Sequence, residues 1–138
     1  MTLIRKSIKG NTSPVWSSSF GQVRNPRAFA ALKSDGSVVT WGDAIYGGDS
    51  SSVRNELSNN VKQIFSNTYE FAALKNDGSV VTWGDWTQVD DSLTNYNLQF
   101  GNSIAPSALL DSGVKTIYTN GFAFAALKND GSVVTWGS

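Results

Sequence analysis

The sequence predicts an all-β protein of propeller-type blades, about three repeats in number. Its ring is completed by self-association or stays an incomplete propeller. Three observations predict this. One hairpin is written three times. Both strand faces of that hairpin are mainly apolar, as in a sheet covered on both sides. The copies recur at offsets of 42 (Phe29 to Phe71) and 53 (Phe71 to Phe124), a period that belongs to blades of short strands.

Residues 1–27 form an N-terminal segment, read either as a partial blade or as a cap. Thr12-Ser13-Pro14-Val15-Trp16-Ser17 faintly echoes the Trp strand of the repeat, with Ile4 to Lys6 as a candidate inner strand. Residues 28–138 hold the three repeats, with hairpins at 29–42, 71–84 and 124–137. Phe71 to Asp85 reads FAALKNDGSVVTWGD, Phe29 to Asp43 reads FAALKSDGSVVTWGD, and Phe124 to Gly137 reads FAALKNDGSVVTWG. Asp-Gly between apolar runs is a strong hairpin signal, since a type I′ turn needs positive φ at both central residues. With Asp77-Gly78 central, Lys75 is expected to face Val80, Leu74 to face Val81, Ala72 to face Trp83 and Phe71 to face Gly84. That register sets large beside small. It puts Ala72, Leu74, Val81 and Trp83 on one face, and Phe71, Ala73, Val80 and Thr82 on the other. A third strand precedes the hairpin, because Val61-Lys62-Gln63-Ile64-Phe65 matches Val114-Lys115-Thr116-Ile117-Tyr118. Ser19 to Val23 fills that slot poorly in the first copy. Ser52 to Leu57 and Pro106 to Leu110 are expected to form short helical turns.

The pattern Ala-Leu-Lys-x-Asp-Gly-Ser-Val-Val-Thr-Trp-Gly, the Tyr46-Gly47-Gly48 after Trp41-Gly42, and the Val-Lys-x-Ile strand resemble the regulator-of-chromosome-condensation repeat family. The resemblance is nearest to its divergent bacterial members. It implies propeller blades. The guanine-nucleotide exchange known in that family is a remote alternative here, because the sequence lacks the family's histidine and most of its Gly-Gln-Leu-Gly segment.

Composition narrows the function. Eleven Lys and Arg balance eleven Asp and Glu, which gives no basic face for nucleic acid. The chain has neither Cys nor His. That excludes disulfides, Cys/His zinc sites and His-activated nucleophiles. No cofactor, metal or catalytic residue is expected. The N-terminus lacks the apolar run of a signal peptide, and no stretch is long enough to span a bilayer. The expected chain is soluble, either cytoplasmic or exported without a cleaved N-terminal signal.

The Asp-Gly-Ser turns offer one carboxylate each and read as hairpin turns rather than calcium loops. Tyr46-Gly47-Gly48-Asp49 lacks the Lys of a phosphate loop and reads as a flexible connection. Asp90 and Asp91, near Trp86, suggest a sugar platform less well than a solvated turn. Tyr46, Trp86, Tyr96 and Phe100 lie outside the hairpins. They either form a recognition surface or plug the blade ends. Together with Asp90 and Asp91 they are the candidate partner surface. The expected function is a binding or scaffold module. Its partners are itself, as a homo-oligomer such as a dimer, another protein, or a glycan if it is an adhesin-type module.

Overall fold

A computed structural model describes residues 25–84 and 105–137. They form eight strands: β1 (Ala28–Leu32), β2 (Val38–Gly42), β3 (Val61–Ser66), β4 (Phe71–Lys75), β5 (Val80–Trp83), β6 (Val114–Thr119), β7 (Ala123–Lys128) and β8 (Val133–Gly137). The strands make three antiparallel sheets, β1-β2, β3-β4-β5 and β6-β7-β8. The two complete units share a register irregularity, between Val61 and Gln63 in β3 and between Val114 and Thr116 in β6. Ser19 to Val23 lies outside the described residues. Single short 3-10 turns occur at Ser51–Val53 and Ser107–Leu109, near the two places where helical turns were expected.

The hairpin register differs from the predicted one by one position. Phe71 pairs with Trp83, Ala72 with Thr82, Ala73 with Val81 and Leu74 with Val80. The cause lies in the turn. Gly78 N–H donates to the Lys75 carbonyl at 3.0 Å, and Lys75 N–H donates to the Ser79 carbonyl at 2.9 Å. Gly78 has φ +85°, whereas Asp77 is not left-handed. This is a three-residue loop, a type I turn closed by a left-handed glycine, and not a two-residue I′ turn. The Asp77 carboxylate secures it by accepting from Ser79 N–H at 2.9 Å and from Ser79 Oγ at 2.6 Å. Asp35 with Ser37 and Asp130 with Ser132 repeat the arrangement.

The shift reassigns the faces. Phe71, Ala73, Val81 and Trp83 now share one face, and Ala72, Leu74, Val80 and Thr82 share the other. Phe and Trp stack directly across the hairpin instead of each meeting a small residue. Their ring centroids are 5.4 Å apart in Phe29–Trp41, 5.3 Å in Phe71–Trp83 and 5.1 Å in Phe124–Trp136.

The sheets stack in sequence around two apolar layers. The first layer sets Phe71, Ala73, Trp83 and Ile64 of the second sheet against Ala28, Ala30 and Leu32 of the first. The second sets Phe124, Ala126, Trp136 and Ile117 of the third sheet against Phe65, Ala72 and Leu74 of the second. The middle sheet is covered on both faces, as its composition requires. Backbone bonds tie each hairpin to the next unit. Val61 N–H donates to the Gly36 carbonyl at 3.0 Å, and Val114 N–H to the Gly78 carbonyl at 2.9 Å.

Candidate interaction surfaces

Each unit has a giving face, with the stacked Phe and Trp, and a receiving face, with Ala and Leu. At the two internal junctions the rings are buried. Phe71 is 0 % exposed, Trp83 4 %, Phe124 1 % and Trp136 3 %. On β1-β2 the same pair is open: Phe29 is 48 % exposed and Trp41 47 %. Val39, which pairs with Ala31 on that face, is exposed too. At the opposite end of the stack, Tyr118 and Val133 are exposed on the outer face of the third sheet. Pairing aligns them with Ala125 and Leu127. Exposed apolar faces of this kind mark surfaces where further area can be buried.

The connection after β2 serves the first junction. The Asp43 carbonyl accepts from Gly48 N–H at 2.8 Å, so Ala44–Gly48 closes as one wide turn. Gly47 sits at φ +100°, and a Cβ there would lie 2.7 Å from the Phe71 ring. Its carbonyl accepts from Trp83 Nε1 at 3.1 Å. This connection is therefore a built lid over the Phe71–Trp83 stack and not the flexible loop the sequence suggested. Glycine is required because the backbone passes over a ring. Trp136 Nε1 in the second junction is buried and has no acceptor among the described residues.

Tyr46 is one of the candidate partner residues. It is buried against Tyr69, ring centroids 5.9 Å apart, with the Arg27 guanidinium 4.5 Å from its centroid. It plugs a junction, the second of the two readings for the loop aromatics. Trp86, Asp90, Asp91, Tyr96 and Phe100 lie outside the described residues.

Sequence reasoning missed one repeated residue. Asn25, Asn67 and Asn120 each stand four positions before the repeat Phe. The Asn67 side-chain carbonyl accepts from Tyr69 N–H at 2.8 Å and Glu70 N–H at 2.7 Å. Asn25 does the same for Arg27 and Ala28, and Asn120 for Phe122 and Ala123. An Asn side chain that bonds the backbone two and three residues on turns the chain into the next strand. The signal was its fixed distance from Phe in all three copies.

Electrostatics are local. The Ser37, Ser51, Ser79 and Ser132 hydroxyls, and then their amides, hold the carboxyls of Asp35, Asp49, Asp77 and Asp130 below the usual carboxylate value. Each shift is a turn-stabilising bond. No group of three or more metal-ligating side chains occurs among the described residues. No helix among them is long and apolar enough to cross a membrane.

No protein-family model matches the chain, and no curated protein matches it. Solved structures do. The CRINKLY WD40 ectodomain of the Arabidopsis thaliana receptor kinase ACR4 superposes with a TM-score of 0.51 at 15 % identity, over 83 % of this chain and 35 % of that one. Human WBSCR16 gives a TM-score of 0.46 at 22 % identity, over 80 % of this chain and 32 % of that one. The chain is all-β and built of propeller-type blades. It spans about a third of the length of either structure.

Proposed function

We propose that the protein is a non-enzymatic scaffold that binds other proteins, its own copies included, through the open faces of its blades. The observation that carries this reading is the Phe29–Trp41 stack. It is about half exposed, whereas the same pair in the other two units is buried against a neighbouring sheet. Burying apolar surface at about 25 cal/mol per Å² makes such a face adhesive. The kinship with chromosome-condensation repeats belongs to the same proposal. It is supported by the use to which the family-like Tyr46-Gly47-Gly48 segment is put, as a lid on the next unit. The test is light scattering of the 138-residue chain across a hundredfold concentration range. The expected result is a mass that rises above 14.8 kDa with concentration. A constant 14.8 kDa removes self-association from the reading.

A further inference from the structure

We infer that two copies of this chain pair head to tail. The Phe29–Trp41 face of one seats on the Tyr118, Ala125, Leu127 and Val133 face of the other. This rests on the self-association proposed above and adds its direction and its residues.

The two internal junctions supply the template, and both run in the same sense. The ring face of the later unit always lies on the Ala-Leu face of the earlier one. At the second junction the receiving side consists of Phe65, Ala72, Leu74 and Val80. With the offset of 53, the same four positions in the third unit are Tyr118, Ala125, Leu127 and Val133. Three are identical, and the fourth exchanges Phe for Tyr. Phe65 is 4 % exposed, whereas Tyr118 is 62 % exposed. The third unit thus carries a receiving surface of the same chemistry as one already in use, and it stands open.

The turns agree. A Cβ on Gly36 would meet the backbone of Asn60 at 3.1 Å, and one on Gly78 would meet that of Gly113 at 2.9 Å, because the next unit packs there. At Gly131 nothing among the described residues lies within 4 Å of such a Cβ. Among the described residues, the ring pair is exposed at one end of the stack and the matching seat at the other. Face-to-face pairing of two ring faces would press Phe and Trp against Phe and Trp. The Ala-Leu surface that accepts the rings inside the chain would be missing. The matched surfaces are different patches, so the interface is heterologous, and it closes a ring or continues according to its rotation.

Two variants, each with one face blocked, test this. Trp41→Asp blocks the giving face, and Val133→Asp blocks the receiving face. Both residues are solvent-accessible in the single chain. Sedimentation is expected to show each variant alone at 14.8 kDa, and an equimolar mixture at twice that mass, since each retains one intact face. If either variant lacks the wild-type β-sheet circular dichroism, Val39→Lys and Tyr118→Lys take their places. A wild-type oligomer whose Val133→Asp variant still self-associates, with no new species on mixing, overturns the head-to-tail direction but leaves self-association standing. A wild-type chain that stays monomeric overturns both, and points to residues 1–24 as the cover of the Phe29–Trp41 face.

Discussion

Among the described residues, the two internal junctions share an apolar layer and differ in their polar closure. Between the first and second sheets, the Phe71–Trp83 stack is packed from the side by Ala30 and Leu32. It is closed by the Gly47 carbonyl, which takes the indole proton. Between the second and third sheets, Phe124 and Trp136 are packed as tightly by Ala72 and Leu74, yet the indole proton meets no acceptor among the described residues. The repeated part is the part that buries area. A non-directional driving force needs only matching shapes, so identical hairpins reproduce it each time. A hydrogen bond needs a particular carbonyl at a particular place. That carbonyl comes from a connection that is written once.

The largest expected effects test the shared part. Phe71→Ala and Phe124→Ala each remove a fully buried ring and leave a cavity between sheets, a loss of about 3–5 kcal/mol. If apolar packing dominates both junctions, urea unfolding gives the two variants similar losses. A Phe124→Ala loss several-fold smaller than that of Phe71→Ala would show that the second junction is held differently, and the comparison would break.

A middle-sized effect isolates the closure. Trp83→Phe keeps an aromatic ring but leaves the Gly47 carbonyl without its donor in a buried place. Trp136→Phe removes a donor that has no acceptor among the described residues. Leaving one buried partner unpaired costs about 1–3 kcal/mol, whereas removing an unpaired group costs little beyond its packing. Trp83→Phe is therefore expected to be the more destabilising, by about 1 kcal/mol or more. Equal losses in thermal or urea melts would mean that the Trp83 bond contributes nothing net.

How much of this was legible follows the same division. The hairpins, the third strand and the sandwiching of the middle unit were readable, because apolar alternation and repetition carry them. The register was not. Asp-Gly reads as a two-residue turn until Ser79 is seen offering both its amide and its hydroxyl to Asp77, and the Ser after each Asp-Gly was the available sign. One position of slip was enough to replace a Trp-beside-Ala pairing with a Phe–Trp stack. The burial of Tyr46 was hidden for a different reason. A Gly-Gly segment looks loose in isolation, and its order comes from the ring of Phe71 in another sheet. Of the remaining candidate surface, Trp86, Asp90, Asp91, Tyr96 and Phe100 fall in the connection outside the described residues, so the proposed interaction faces rest on residues of the repeat itself.

The smallest effect separates turn from junction. Asp77 sits in a turn whose glycine the next unit packs against, and Asp130 in one whose glycine meets nothing nearby among the described residues. Both carboxyls are held below 3.8, first by the serine hydroxyl and then by its amide, and both are fully exposed. A carboxyl depressed on folding stabilises the fold fully above its unfolded value of 3.8, and that contribution is lost as pH falls through the lower folded value. Stability is therefore expected to be flat in this term from neutral pH down to the unfolded value and to decline below it. The same serine bonds cause both shifts, so the covered and the open turn should titrate alike, with Asp35 beside them. Carboxyl chemical shifts followed by NMR through the acid range check this. An Asp77 that titrates well below Asp130 would mean that the junction adds to the turn. A value for either at or above 3.8 would mean that the serine bonds do not persist in solution.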